Sequence, residues 1–250
     1  MLYMIGIGLN DAKDITVKGL EAVKKCKKVY LESYTSVLQC SAKELEKLYG
    51  KKIILADREL VEKKAESTIL KDAKEGDAAF LVVGDVFSAT THTDLKLRAV
   101  DEGIKVKVIH NASVLNAIGI TGLELYKFGK TTSIPFENKN VETPYNVLRE
   151  NKKIRLHTLF LLDLKPKNKK FLTIKDAIEY LLKVEKKNGK RIFVEETPCV
   201  GCARLGSENP TIKFGYAREL LKKDFGKPPY CLIVPGDLHF MEGEALEKFV

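Results

Sequence analysis

The chain has 250 residues, of which 44% are hydrophobic and 31% charged, and it carries a formal net charge of +9 at pH 7. This composition is that of a soluble globular protein with enough apolar residues for one large or two modest cores. No apolar stretch reaches the roughly 18 residues that a membrane-spanning helix needs. The first ten residues also lack the basic start and cleavage site of a signal peptide, so we expect a cytoplasmic protein.

The first half of the chain alternates buried strands with amphipathic helices, each pair separated by a turn. We predict strands at 2–8, 28–32, 78–83 and 105–109, and helices at 15–25, 41–48, 60–74 and 93–102. Asp14 is predicted to cap the first helix. Strands and helices that alternate at this spacing favour a mostly parallel sheet covered on both faces. The turns after Gly8, Gly84 and Ile109 would then lie along one edge of that sheet.

The pattern changes after Gly119 and resumes at Leu156. We predict strands at 156–163, 191–195 and 231–235, and helices at 144–151, 173–187 and 216–225, with a short helix at the end of the chain. The sequence therefore divides into an N-terminal α/β domain at 1–122, a linker and connecting helix at 123–154, and a C-terminal α/β domain at 155–250.

The five cysteines are an odd number and are scattered, which argues against a disulfide framework and fits a reducing compartment. Cys199-Val-Gly-Cys202 has the spacing of a redox or metal pair, but no second pair exists to complete a zinc site. We interpret the two cysteines as small apolar residues in a loop and predict no metal. The basic residues occur in short groups without interleaved aromatics, which favours a solvated lysine-rich surface over a nucleic-acid interface.

A glycine motif follows the first strand. Gly6-Ile-Gly8-Leu-Asn-Asp11 begins like a dinucleotide fingerprint, and Glu32 stands where a ribose-binding carboxylate would be expected. Asp11, however, replaces the third glycine. Its charge would repel a pyrophosphate by about 1 to 4 kcal/mol, depending on the local dielectric. An NAD-dependent oxidoreductase is therefore an alternative rather than the leading hypothesis.

Five segments together resemble the diphthine synthase family, a branch of the tetrapyrrole methylase superfamily of class III S-adenosylmethionine-dependent methyltransferases. The segments are Leu2-Tyr-Met-Ile-Gly-Ile-Gly-Leu-Asn-Asp, Gly84-Asp-Val-Phe-Ser-Ala-Thr-Thr-His-Thr-Asp-Leu, His110-Asn-Ala-Ser-Val, Leu156-His-Thr-Leu-Phe-Leu-Leu-Asp-Leu and Cys231-Leu-Ile-Val-Pro-Gly-Asp-Leu-His. The Thr-Thr-His-Thr-Asp-Leu run and the Pro-Gly-Asp-Leu-His ending are more specific than any glycine pattern. The similarity covers nearly the whole chain.

The resemblance implies two α/β domains with the cofactor in the cleft between them, the N-terminal sheet mostly parallel and the C-terminal sheet mixed. It also implies a homodimer and successive N-methylation of the modified histidine precursor on translation elongation factor 2, which yields diphthine in diphthamide biosynthesis. The cofactor would be S-adenosyl-L-methionine, which leaves as S-adenosyl-L-homocysteine. Its contacts, carried over by motif position, would be Leu9, Asp85, Ser88, Ser113, Val114, Leu162, Asp163, Leu205 and His239.

The chemistry of the residues is compatible with that reading but leaves roles open. Methyl transfer to an amine is an in-line displacement that needs no nucleophilic residue or metal, so no catalytic residue is assigned. His239 is either a proton acceptor or, as we favour, a buried histidine that ties down the last strand. His92 and His157 are predicted to be structural, and His110 has no assigned role. Phe87 or the tyrosines of 30–34 could stabilise a trimethylated cation.

Two other functions stay open. A tetrapyrrole-like small molecule could replace the protein substrate. A basic nucleic-acid-binding module is the third class, although we expect no membrane and no direct nucleic-acid partner.

Overall fold

The apolar run Ala78–Val82 forms a strand that is buried on both faces, and it lies at the centre of a five-stranded parallel sheet. The strand order is β3-β2-β4-β1-β5, with β1 Leu2–Gly6, β2 Lys28–Glu32, β3 Ile54–Ala56, β4 Ala78–Val82 and β5 Val106–Ile109. Alternate residues of β4 enter opposite cores: Phe80 packs on one face and Leu81 on the other. The continuous apolar pattern of a doubly covered parallel strand explains why the sequence signal was strong here.

Six helices belong to this part of the chain: α1 Val17–Lys25, α2 Ala42–Tyr49, α3 Arg58–Lys63, α4 Lys71–Glu75, α5 Thr93–Asp101 and α6 Val114–Ala117. The helix predicted at 60–74 is instead interrupted, because a π-turn at Glu66–Leu70 separates α3 from α4. Asp14 does not cap α1. Thr16 does, because its hydroxyl accepts the Gly19 N–H at 3.0 Å.

A mixed sheet forms the second half of the fold, in the order β11-β10-β12-β7-β6. Its strands are β6 Thr132–Ile134, β7 Thr158–Leu162, β10 Pro198–Ala203, β11 Thr211–Tyr216 and β12 Tyr230–Val234, and a small hairpin pairs β8 Leu164–Lys165 with β9 Lys170–Phe171. The helices are α7 Thr143–Lys153, α8 Ile174–Asn188, α9 Ala217–Leu220 and α10 Phe240–Leu246. Only β6 and β7 run parallel. The predicted α/β class, with a parallel N-terminal and a mixed C-terminal sheet, is confirmed.

The strand predicted at 191–195 is wrong. The backbone N–H groups of Arg191, Ile192 and Phe193 all donate to the carboxylate of Glu185, at 2.6 to 2.9 Å. A side chain from α8 thus takes the donors that a neighbouring strand would need, so the segment turns instead of extending. The strands that follow, β10 and β11, were not predicted.

The computed structural model describes all 250 residues, which form two compact units: 1–117 with 166–168, and 118–165 with 169–250. The segment 123–154, predicted as a linker and connecting helix, lies within the second unit. It supplies β6, which pairs with β7, and α7, whose Tyr145 and Leu148 are fully buried in that unit's core. None of the helices is both long and apolar enough to cross a membrane.

Cys199 and Cys202 lie in strand β10, not in a loop, and both are buried. Because strand residues three apart point to opposite faces, the two thiols diverge. Cys202 instead stands opposite Cys231 in the register of β10 and β12.

Candidate functional site

Three turns meet at the carboxyl edge of the parallel sheet, as predicted. They follow β1, β4 and β5, which are neighbours in the sheet. The first two turns are joined directly: the Gly84 N–H donates to the Gly8 carbonyl at 2.7 Å, and the Gly8 N–H donates to the Gly84 carbonyl at 3.3 Å. Ligands bind at this edge in open α/β sheets, since the loops there converge.

The glycines of the first turn permit its close approach to neighbouring backbone. A Cβ on Gly6 would lie 2.6 Å from the Gly84 carbonyl oxygen, and one on Gly8 would lie 2.3 Å from the Asp14 Cβ. Gly8 also has a φ of +78°, in the left-handed region that favours glycine. The Asp14 carboxylate then fixes the turn by accepting the N–H groups of Leu9 and Asn10, at 3.1 and 2.7 Å.

Asn111 ties the third turn to the first. Its side-chain amide donates to the carbonyls of Gly6 and Asp14, both at 3.0 Å. A single side chain therefore connects the ends of β5 and β1.

Asp85 is the centre of a second network. Its Oδ1 accepts from the Phe87 N–H at 3.0 Å and from the Ser88 hydroxyl at 3.3 Å. Its Oδ2 accepts from the Asn111 N–H at 3.2 Å and contacts His110 Nδ1 at 2.8 Å. Burial alone would raise the pKa of Asp85, but the hydrogen bonds from Phe87, His110 and Asn111 outweigh it, so the pKa lies below its usual range.

His110, which had no role assigned from the sequence, is thus oriented by Asp85. Because a carboxylate only accepts hydrogen bonds, Nδ1 carries the proton in the neutral ring and Nε2 is left as an acceptor. The side chain is 71% exposed. This pair places a free imidazole nitrogen at the edge where the three turns meet.

The other predicted residues of the first unit lie at the same edge. Leu9 is half-buried in the first turn, and Ser88 lies beside Asp85. Ser113 is buried, and its hydroxyl accepts the Leu115 N–H at 3.2 Å. Val114 follows it as the first residue of α6. The structure therefore brings Leu9, Asp85, Ser88, Ser113 and Val114 together.

Four predicted residues belong to the second unit. Leu162 ends β7 and is buried, and the Asp163 carboxylate next to it accepts the N–H groups of Phe136 and Leu164, at 3.2 and 2.9 Å. Leu205 is buried in the segment after β10. His239 precedes α10.

The prediction that His239 is buried is wrong, because its side chain is exposed at the start of α10. His157 ties down the end of β12 instead. Its Nδ1 accepts the Gly236 N–H at 2.9 Å, and its Nε2 contacts the Glu242 carboxylate at 2.9 Å. His157 and Glu242 are both fully buried. The sequence pointed to a structural His157, and this role is confirmed.

Glu32 does not serve as a ribose-binding carboxylate in this fold. It is 1% exposed and accepts the N–H groups of Tyr34 and Thr35 and the Thr35 hydroxyl. Burial raises its pKa despite these bonds. The side chain shapes the turn after β2. The hypothesis of dinucleotide binding therefore loses the ribose-binding carboxylate that had supported it.

Comparisons with known proteins identify the family of the chain. A sequence profile of the tetrapyrrole (corrin/porphyrin) methylases matches residues 1–221. The chain belongs to the tetrapyrrole methylase family. Within it, the chain is 49% identical to diphthine methyl ester synthase 2 of Candida albicans, over all of this chain and 90% of that protein. It is 48% identical to diphthine methyl ester synthase of Saccharomyces cerevisiae, over all of this chain and 89% of that protein.

The fold agrees as well. A crystal structure of a diphthine synthase matches this tetrapyrrole methylase with a TM-score of 0.91 and 39% identity, over all of this chain and 95% of that chain. The resemblance found in the sequence is therefore confirmed. The protein is a methyltransferase of the diphthamide pathway, and its family implies S-adenosylmethionine as methyl donor.

Proposed function

We propose that this protein transfers methyl groups successively to the amino group of the modified histidine on translation elongation factor 2. The observation that carries the proposal is the identity of 48 to 49%, over the whole chain, with proteins named diphthine methyl ester synthases. A small tetrapyrrole-like substrate is less well supported, because these relatives are named for diphthine chemistry and match over all of this chain.

The relatives are named methyl ester synthases, and this name indicates a second atom that accepts a methyl group. A methyl ester forms when a carboxylate oxygen, rather than an amine nitrogen, takes the methyl group. We therefore extend the proposal to O-methylation of the carboxylate on the same modified side chain. Each amine methylation after the first requires that the methylated nitrogen lose a proton before it attacks again, whereas a carboxylate oxygen has no proton to lose.

The residues at the edge fit the methyl donor. S-adenosylmethionine supplies an electrophilic methyl group on a sulfonium. Gly84 opens a space between the three turns, since a Cβ there would lie 3.6 Å from the Leu9 side chain and 3.7 Å from the Ala112 carbonyl. An apolar side chain beside backbone carbonyls suits the faces and amino groups of a nucleoside. Leu9, Asp85, Ser88, Ser113 and Val114 would hold the cofactor at this edge.

Charge and exposed apolar surface support the proposed partners. The net charge of +9 would steer an acidic protein surface toward the enzyme. A translation factor as substrate would place the enzyme in the cytoplasm.

For the homodimer, the support is an apolar patch of the second unit, formed by Leu125, Tyr126, Leu238, Phe240 and Met241, all of them exposed. Its two segments are held together where the Lys127 ammonium donates to the Asp237 carbonyl at 2.9 Å.

Calorimetric titration with S-adenosylhomocysteine and, separately, with NAD tests the cofactor. We expect binding of the first ligand only, and a large loss of affinity in Asp85→Ala, because that change releases the Phe87, Ser88 and Asn111 donors together. Binding of NAD instead would overturn the proposal.

Mass spectrometry of elongation factor 2 after the reaction then counts the methyl groups. Mild alkali separates the two acceptor atoms, since it hydrolyses an ester and leaves N-methyl groups in place. A product without any mass gain would refute the protein substrate.

A further inference from the structure

A cavity opens within the first unit. It has a volume of about 240 Å³ and lies between α3, the start of α5 and the segment that follows β2. Its lining comprises two aromatic rings, two apolar side chains, two carboxylates and a threonine: Tyr34, His92, Val61, Leu95, Glu62, Asp94 and Thr91. We call it the His92 pocket.

Two of the residues that line this pocket carry polar atoms without hydrogen-bond partners. His92 is 1% exposed, and neither of its ring nitrogens has a hydrogen-bond partner in the protein. The buried hydroxyl of Tyr34 has none either. The His92 ring packs edge-on against Phe80, with centroids 5.1 Å apart, and against Tyr34 at 6.1 Å. An unmade hydrogen bond of a buried polar group costs about 1–3 kcal/mol, so these atoms indicate a ligand that completes them.

The chemistry of His92 defines what such a ligand must offer. Burial lowers the pKa of His92 to about 4, so the ring is neutral at pH 7. A neutral imidazole presents one donor and one acceptor. The complementary ligand therefore also carries both a donor and an acceptor.

The size and charge of the His92 pocket further restrict the class of ligand. The volume of about 240 Å³ exceeds the roughly 30 Å³ of one water and is below the roughly 300–1,000 Å³ of drug-sized ligand sites. It suits a single ring. The two carboxylates at the pocket each pair with an arginine: Glu62 with Arg58 at 3.6 Å and Asp94 with Arg98 at 3.1 Å. This balance favours a neutral polar ring over an anion.

The pocket lies on the same side of the sheet as the predicted methyl-donor site. Tyr34 comes two residues after β2, and His92 comes from the segment after β4 that begins with Asp85. In the sheet, β2 is the neighbour of β4 on the side away from β1. Both residues therefore come from segments that leave the carboxyl edge of the sheet, the edge that also carries Asp85 and Ser88.

We propose that the His92 pocket binds the imidazole ring of the acceptor histidine, with His92 and Tyr34 donating and accepting its hydrogen bonds. This assignment rests on the proposed function, because it takes the acceptor to be a modified histidine. His92 and Tyr34 are then residues that determine acceptor specificity, outside the predicted cofactor contacts.

Two conservative variants and a matched control test the pocket. Tyr34→Phe removes only the orphaned hydroxyl, and His92→Phe replaces the imidazole with an apolar ring that has no hydrogen-bonding atoms. Each is expected to raise the KM for elongation factor 2 by about 10-fold, while the affinity for S-adenosylhomocysteine is unchanged. Tyr49→Phe is the control. Its hydroxyl is also buried and unpartnered, but it lies in the core on the other face of the sheet, so its KM should stay at the wild-type value.

Titration of the wild-type protein with free imidazole, followed by NMR, provides a readout that needs no methyl transfer. We expect shifts of the backbone amides of Thr91, His92 and Leu95, and their loss in His92→Phe. Shifts elsewhere, or an unchanged KM in both pocket variants, would overturn the assignment. If the wild type methylates no acceptor but imidazole shifts these amides, the proposed function fails and the pocket's ligand class stands.

Discussion

At the scale of single residues, Glu242 shows how one buried carboxylate ties down a chain segment. It accepts hydrogen bonds from the Glu124 and His239 N–H groups, at 2.9 and 2.8 Å, and it also pairs with Lys127 and His157. Burial alone would raise the pKa of Glu242, but these donors hold it at about 2, below the ordinary 4.5. A lowering of the pKa by this amount contributes on the order of 3 kcal/mol to the free energy of unfolding.

The lowered pKa of Glu242 determines how the free energy of unfolding depends on pH. A carboxyl with a lowered folded-state pKa stabilises the protein fully above about pH 4.5, and the stabilisation is lost as the pH falls through about 2. Glu242→Gln should therefore lower the free energy of unfolding by about 3–5 kcal/mol at pH 7, because Lys127 and His157 lose their buried partner. The difference from wild type should shrink as the pH falls, as measured by urea unfolding.

Glu244→Gln is the control for this measurement, since Glu244 is an exposed residue of the same helix. Its difference from wild type should be small at every pH. A Glu242→Gln difference that is constant from pH 7 to pH 2 would contradict the assigned pKa.

The histidines show what sequence alone could and could not give. His157 and His239 each stand beside apolar strands, and nothing in the local pattern says which of them is buried. That is decided by Glu242, which lies 85 residues from His157 along the chain. In the same way, the pairing of His110 with Asp85 depends on β4 and β5 flanking β1, which periodicity does not specify.

At the scale of elements, the core that packs on strand β10 requires a glycine at position 201. A Cβ on Gly201 would lie 2.5 Å from the Phe225 ring and 3.0 Å from Ile174 at the start of α8. Gly201→Ala should therefore overpack this core and lower the free energy of unfolding by about 1–3 kcal/mol. Chemical denaturation measures the change.

Gly243→Ala is the matched substitution, because an added Cβ there meets nothing within 4 Å. Gly243 lies inside α10, where alanine is the better helix former. The variant should gain about 0.5–1 kcal/mol. Equal effects of the two substitutions would show that backbone entropy, and not packing against Phe225, sets the cost at Gly201.

The strength of the local sequence signal explains which elements could be predicted. Helix α8 was predicted almost to its ends, since Thr173 caps it, Gly189 closes it in the left-handed conformation, and its apolar residues keep helical spacing. Strand β3 has three residues and one buried side chain, so it has no pattern to detect. Strand β10 begins with proline and also contains glycine and alanine, all of which are depleted in strands, so a single valine is its main strand signal.

At the scale of the whole molecule, the family resemblance was accurate because the three turns of the first unit are local in sequence, each directly after its strand. The division of the chain was harder to predict. Segment 123–154 has proline, threonine and polar residues that are typical of a linker, yet its few apolar residues, such as Ile134 and Leu148, complete the core of the second unit. Burial of a few side chains decided the assignment, and composition could not show it.

The apolar patch of Leu125, Tyr126, Leu238, Phe240 and Met241 is where we expect two copies of the chain to meet. Exposed apolar residues that cluster, unlike single ones, indicate an interaction site. Phe240 is 68% exposed and Met241 55%.

The double variant Phe240→Glu, Met241→Glu should be monomeric. A stable interface must bury more than about 1,000 Å², and burying this one would desolvate four carboxylates across a two-fold contact. Sedimentation equilibrium measures the mass. Val17→Glu, at a solitary residue of α1 that is 77% exposed, should remain dimeric. A wild-type monomer at micromolar concentration, or a dimeric double variant, would remove this surface from the proposal and leave the methyltransferase assignment intact.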